Sequence, residues 1–432
     1  MRRVNLGLIG FGTVGSGVVK ILKEKRHYLK QKIGTELFLK RICDKDIVSK
    51  RKVKINESIL TTNLEDIIND PAVDIVIELI GGIHPAKEYI IESLRSRKHV
   101  VTANKALLAC EGEEIFDIAK KYSKNVYFEA SVCAGVPIIK AIREGLVANR
   151  FLSIFGILNG TSNFILSRMS EAGESFSKVL EEAKKKGYTE KNPSLDIEGI
   201  DSAHKLAILV YLAFGRFIDL RDIFMEGISD ISLLDIRYTK ELNLTIKLLA
   251  IAKKTGSELE LRVHPTLISH NHPLASVKGI FNAVYIKTDL AGELLLYGQG
   301  AGQDSAASAV ISDLVDLSKD IKAGLFRPTL DIIPDPSIKR LRRITEIRTR
   351  YYIRFMVLDL PGVLAKISGI LGKYRISIAS VTQKERKKTK VVPVVMITHE
   401  TEEKNMQKAL GEISHLTVVK EKPVAIRMEE IL

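Results

Sequence analysis

Asp201 and Lys205 stand four residues apart in GIDSAHKLAIL (199–209), a run that is otherwise largely apolar. In a helix four residues make one turn, so carboxylate and ammonium share a face with Ala203, Leu206 and Leu209. The bland reading is an i,i+4 ion pair at a helix start. The sharper one is a lysine kept charged and aimed by its acid, ready to give a proton. A second group, Gly10, Gly12 and Gly15 of GFGTVG, follows the apolar run VNLGLI. Gly10 permits a tight turn, Gly12 lets backbone approach a pyrophosphate, and Gly15 allows close helix–strand packing. The helix that follows offers free N–H groups to phosphates. Lys105, in TANKALL, comes just after a strand. The carboxyl ends of strands are where open α/β sheets bind ligands.

The elements that must position these groups alternate. VNLGLI reads as a buried strand, followed by an amphipathic helix to about Gln31 and a second strand, LFLKRICD. VDIVIELIGG is a strand, PAKEYIIESLRSR a helix and KHVVTAN another strand. This βαβαβ order predicts a Rossmann-type parallel sheet over 1–132; the return of a helix at 303–320 to it is what the family resemblance given below implies. Residues 133–302 mix apparent antiparallel strands (LSIFGIL, LELRVHPTLI) with helices around 175–215, an α+β domain; its role in catalysis and dimerisation is likewise what that resemblance implies. A basic linker is expected over 326–350. Residues 351–432 read βαββαβ, a ferredoxin-like unit.

Asp44 ends the second strand, further from Gly15 than the spacing of about 20 residues common in dinucleotide folds. An acid there binds adenosine ribose hydroxyls and favours NAD, yet Lys45, Arg51 and Lys52 could accept a 2′-phosphate. The choice between NAD and NADP stays open.

With 432 residues, 45% apolar and 27% charged, the chain has the makeup of a soluble protein of two or three domains. LAILVYLAFG (206–215) is too short to span a bilayer, and the N-terminus lacks a signal-peptide pattern. A cytoplasmic protein without a membrane partner is expected. Cys43, Cys110 and Cys133 show neither disulfide nor zinc spacing. The net charge of +14 raises nucleic-acid binding, but the densest block, KRLRRITEIRTR (339–350), lacks interleaved aromatics. A solvated basic segment is expected there, with no nucleic-acid partner.

AKKKGYTEKNPSLDIEGIDSAHK (183–205) resembles the signature of homoserine dehydrogenases, carried by Ala183, Gly187, Tyr188, Asn192, Pro193, Asp196, Gly199, Asp201 and Lys205. ELIGG, VVTANKALLA, EASVCAGVPII, ILNGTSNFILS and GAGQDSAASAVISDL are similar to further blocks of that family, in its order. The resemblance implies reversible reduction of L-aspartate 4-semialdehyde to L-homoserine with NAD or NADP, leading to threonine, isoleucine and methionine. It implies Lys205 first as proton donor, with Asp201 orienting it; Lys105 could touch the cofactor, orient the substrate carbonyl or itself be the acid, and ranks first as electrostatic partner. Glu190, Asp196, Asp201 and Lys105 would hold the substrate. Gly10, Phe11, Gly12, Thr13, Val14, Gly15, Asp44, Thr102, Lys105, Gly187 and Gly302 would meet the cofactor, although a helix C-cap explains Gly187 equally well. EASVCAGVP resembles the family's monovalent-cation loop, expected to hold sodium on Glu129 and the carbonyls of Val132, Ala134 and Val136.

LDLPGVLAKISGIL resembles an ACT domain, which implies an amino-acid effector, most plausibly threonine, near Asp359, Gly362 and Arg375. Such units pair, so a homo-oligomer, at least a dimer, is expected. Arg375 stands where that family often has Gly or Asn. No kinase-like segment precedes the first strand, which implies a monofunctional form. The tail is expected to be separable, leaving an active core when 351–432 is deleted. The rivals are another amino-acid dehydrogenase on the same scaffold and a non-enzymatic nucleotide sensor. A sensor has no use for a proton donor, which argues against the second.

Overall fold

The computed structural model describes residues 3–49, 51, 53–189, 192–326, 328, 332–384 and 391–431. The chain forms two compact units, one of Met1–Leu152, His204–Leu220 and Asn282–Pro336, the other of Ser153–Ala203, Arg221–Phe281 and Ser337–Leu432.

The first unit holds a six-stranded parallel sheet: β1 (Arg3–Ile9), β2 (Glu36–Cys43), β3 (Leu60–Thr61), β4 (Ile75–Glu78), β5 (His99–Thr102) and β6 (Val126–Tyr127). Their order is β3-β2-β1-β4-β5-β6, that of a dinucleotide-binding sheet. Leu8 and Ile9 of β1, adjacent and so on opposite faces, are both buried, as in a strand covered on both faces. The first helix ends earlier than expected. Thr13–Glu24 and Arg26–Ile33 are separate helices because Lys25, at φ −102° and ψ 15°, leaves helical geometry. Helix Gln303–Ala323 lies against Thr13–Glu24, and Gly17 permits the approach: a Cβ there would come within 2.9 Å of Gln303. Among the described residues no helix is long and apolar enough to cross a membrane.

In the second unit, strand Leu244–Thr255 lies antiparallel to both Phe151–Ile157 and Glu258–Ser269. The C-terminal segment has the expected βαββαβ order: Arg348–Leu358, Val363–Lys373, Ile378–Thr382, Val391–Thr398, Glu403–Ser414 and Val424–Met428. Its core is Tyr351, Ile353, Phe355, Ile367, Met396 and Met406.

This module is not hung on a linker. Strand Val424–Met428 pairs antiparallel with Arg348–Leu358 and parallel with Glu258–Ser269, through Thr266↔Arg427 and Leu267↔Met428. Buried charges cross the same seam. Arg354 donates to Asp235 Oδ1 at 2.7 Å, Arg262 meets Glu429 at 2.7 Å, and Arg427 meets Glu226 at 2.8 Å. The separable tail expected above therefore conflicts with a sheet and an ion-pair set that run through the proposed cut. The basic segment also differs from expectation. Arg340–Arg342 forms a strand beside Glu258–Glu260, and Arg342 pairs with Glu258 at 2.6 Å and Glu260 at 2.8 Å. Part of its charge is matched by acids instead of being left to solvent.

Candidate active site

At the nucleotide end, Gly10 adopts φ 97°, and a Cβ there would lie 2.7 Å from the Leu79 carbonyl oxygen. A Cβ on Gly15 would lie 2.1 Å from the Gly10 carbonyl oxygen, so no larger residue fits. Gly12 meets nothing within 4 Å and leads into the helix whose first residues are Thr13 and Val14. The N–H of Phe11 donates to Asp44 Oδ2, and that of Asp46 to Asp44 Oδ1 at 2.8 Å. Asp44 thus directly follows β2, with its carboxylate bracing the glycine loop. Arg51 stands 4.0 Å from Asp44 Oδ1 and 3.5 Å from Asp46 Oδ2. Lys52 lies outside the described residues. Gly302, at φ 122°, opens helix Gln303–Ala323.

The loops after β4 and β5 are tied by a buried acid that the sequence reading did not single out. Glu78 accepts the Thr102 hydroxyl at 2.6 Å and the Ile80 N–H at 2.8 Å. Burial pushes its carboxyl above the usual range. Thr102 Oγ1 accepts the Asn104 N–H at 3.0 Å, and Asn104 reaches across to the Gly82 carbonyl at 2.6 Å. Asn104 also caps the helix that begins at Lys105, accepting from Leu107 N. Lys105 therefore starts a rigid helix at the carboxyl edge of the sheet. The available signal was an acid closing an apolar strand, VDIVIE.

Glu129 is buried, with Oε1 accepting Ile139 N at 2.9 Å and Oε2 accepting Lys140 N at 3.0 Å. Its own N–H donates to Asp313 at 2.8 Å. Burial pushes Glu129 up and Asp313 up to about 8. Val132, Ala134 and Val136 follow in a turn that Cys133 makes at φ 52°, with Val136 N bonded to the Cys133 carbonyl at 2.7 Å. Glu129 and Asp313 are thus two buried carboxyl groups beside this turn.

In the second unit the acids of the signature converge. Asn159 Nδ2 donates to Asp196 Oδ1 at 2.7 Å and to Asp201 Oδ2 at 3.0 Å. Thr189 donates to the other Asp196 oxygen at 2.7 Å. Thr161 holds the Tyr188 carbonyl at 2.7 Å. Gly160 lets the chain pass the Ile280 carbonyl, 2.6 Å from where a Cβ would stand. Gly187, at φ 70°, closes helix Phe176–Lys185 with its N–H on the Lys184 carbonyl, a C-cap geometry. Glu190 lies outside the described residues. Asp201 and Lys205 occupy the first turns of helix Ile200–Phe214, and both side chains are buried. Asp201 falls in the second unit, Lys205 and Lys105 in the first. Asn159 was missed as a residue, although its motif ILNG was noticed.

In the C-terminal module, Gly362 takes φ 85° at the start of helix Val363–Lys373, and Gln383 reaches Asp359 at 3.5 Å. Arg375 is exposed and adopts φ 57°, with its N–H on the Gly372 carbonyl. That left-handed backbone explains why Gly or Asn is common there: the turn, more than the pocket, demands them.

Residues 10–129 match the homoserine dehydrogenase NAD-binding domain, 137–315 the homoserine dehydrogenase domain, and 351–415 the ACT domain. The chain is 42% identical to a homoserine dehydrogenase of Neisseria gonorrhoeae, with 100% of both chains covered. It is 39% identical to one of Bacillus subtilis, with 99% of each covered. Among solved structures, a homoserine dehydrogenase from Thiobacillus denitrificans superposes with a TM-score of 0.89 at 42% identity, over 99% of both chains. A hyperthermophilic archaeal homoserine dehydrogenase in complex with NADPH matches 76% of this chain and 100% of its own, at 28% identity and a TM-score of 0.63.

Proposed function

The chain belongs to the homoserine dehydrogenase family, and from that premise we propose how its residues divide the work. The protein is an NAD(P)-dependent oxidoreductase that interconverts L-aspartate 4-semialdehyde and L-homoserine, a step toward threonine, isoleucine and methionine. The observation that carries the residue assignment is the convergence of Asp196 and Asp201 on Asn159 inside the family signature.

Gly10, Phe11, Gly12, Thr13, Val14 and Gly15 would seat the pyrophosphate, with Asp44 bracing the loop and Thr102, Gly187 and Gly302 assigned to the cofactor. When bound, the dinucleotide would supply or accept the hydride. Glu190, Asp196 and Asp201 receive the substrate's ammonium. In the reducing direction, Lys205 gives its proton to the oxygen of the forming alcohol. In oxidation it takes the hydroxyl proton back, and Asp201 keeps it charged between turnovers. Lys105, fixed by its helix start, stabilises negative charge on the same oxygen.

A monovalent cation, with sodium expected, suits Glu129 and the carbonyls of Val132, Ala134 and Val136. The burial of Glu129 and Asp313 beside this turn supports the reading, since carboxylate and carbonyl oxygens are the ligands a hard cation takes. The reading extends to a cytoplasmic homo-oligomer, at least a dimer, that binds threonine near Asp359, Gly362 and Arg375. Exposed Leu360, Leu364 and Val381 in the C-terminal module support the pairing. The test is NAD(P)⁺ reduction with homoserine beside other amino acids. A rate with homoserine no higher than with the others would overturn the reading.

A further inference from the structure

Asn159 links the end of a strand to helix Gly160–Ala172, and its side chain is 5% exposed. A primary amide offers one acceptor oxygen and two N–H donors. Here Oδ1 accepts Ser162 N at 2.8 Å and Ser162 Oγ at 2.9 Å. Nδ2 gives one N–H to Asp196 at 2.7 Å and one to Asp201 at 3.0 Å. The reverse orientation would set an oxygen against two carboxylates, so the chemistry leaves one assignment. The carboxylates come from separate helices, Ser194–Ile197 and Ile200–Phe214, and Asn159 touches both.

Two N–H bonds diverging from one nitrogen at about 120° set these two oxygens about 5 Å apart. Each carboxylate, tied to the amide through one oxygen, keeps further lone pairs for a charge-assisted bond to a primary ammonium. A neutral amide holds that spacing without cancelling either charge. A lysine or arginine at position 159 would place a fixed positive charge beside both acids and compete with the substrate's ammonium.

We infer that Asn159 is a positioning residue that presets Asp196 and Asp201 as an anionic pair for the primary ammonium of an amino-acid substrate. The inference rests on the dehydrogenase reading. It adds what selects an amino acid over a hydroxy compound without the amine.

Asn159→Asp tests it, because the variant keeps the side-chain shape and the acceptor for Ser162 while replacing both donors with an oxygen. Expected are a homoserine KM raised at least tenfold, a kcat within about threefold, and a cofactor KM unchanged. The acid limb of kcat/KM should move to higher pH, since three carboxylates then share the site. A merely structural role would instead lower the thermal midpoint and disturb both substrates' KM alike. If the aspartate variant does not fold, Asn159→Ser decides: it retains a capping oxygen, cannot reach both acids, and should raise the homoserine KM as much. A folded variant of either kind with homoserine KM within twofold of wild type overturns the inference while leaving the dehydrogenase reading intact. Wild-type protein inactive on homoserine overturns that reading, and the inference with it.

Discussion

Cutting the chain after Arg350 should unfold the catalytic sheet instead of freeing it from regulation. The cut removes Arg354 and Tyr352 from Asp235, which is 0% exposed and accepts from them at 2.7, 3.1 and 3.0 Å. It also takes Glu429 from the buried Arg262, leaving that guanidinium with Glu260 at 3.1 Å. Stripping one partner from a buried pair costs about 3–5 kcal/mol. Two such losses, the second softened by Glu260, come to about 6 kcal/mol, before counting the newly exposed edge of strand Glu258–Ser269. Whole-domain stability is about 5–15 kcal/mol, so the shortened chain is left marginal or unfolded. The assay compares intact protein, chain 1–350 and Arg354→Met by urea denaturation and homoserine-dependent NAD(P)⁺ reduction. Arg354→Met should lose about 3–5 kcal/mol. Asp235→Asn combined with it should recover part of that loss, because no buried charge is then left alone. A chain 1–350 that stays monodisperse, with wild-type kcat and a melting point within a few degrees, would refute the reasoning.

Lys205→Ala should lower kcat by about 10²–10⁴ while homoserine and cofactor still bind; more than a few per cent of wild-type kcat at every pH would pass the proton-donor role to Lys105. Arg51→Ala should reduce kcat/KM for NADP⁺ about tenfold more than for NAD⁺, because its guanidinium lies beside Asp44, where a 2′-phosphate would arrive; equal losses would remove Arg51 from cofactor choice. Burial holds Lys247 down to about 8, so its contribution to stability should rise with pH from about 8 to 10.5, by up to about 3 kcal/mol. Lys247→Met should flatten that rise, and identical pH slopes for both proteins in urea would contradict it. Threonine titrated calorimetrically into the intact protein should give heat and lower activity, both lost in Asp359→Ala; no heat up to millimolar would leave the C-terminal module a pairing element only.

What could be read ahead of the structure was local. GFGTVG needs only a strand before it and a helix after it, and Lys105 needs only the end of a strand. The signature around Asp196, Asp201 and Lys205 is contiguous, so its spacing survives as chemistry on a page. Asn159 escaped because its partners lie 37 and 42 residues away, and nothing in ILNG tells which side chains an amide will meet. The Asp235–Arg354 pair spans 119 residues, beyond any periodicity argument. That range also explains why the tail looked detachable. A βαββαβ segment has a complete internal pattern, and pattern alone predicts a free-standing module. Yet strand Val424–Met428 has two edges, and the module's own pairing with Arg348–Leu358 satisfies only one. The other joins Glu258–Ser269, which continues into Leu244–Thr255. A shift of the C-terminal helices on binding an effector would therefore move a strand hydrogen-bonded into the sheet of the unit that carries Asp196 and Asp201. If the tail binds an effector, regulation through it would need no linker motion, because the shared strand would be the connection.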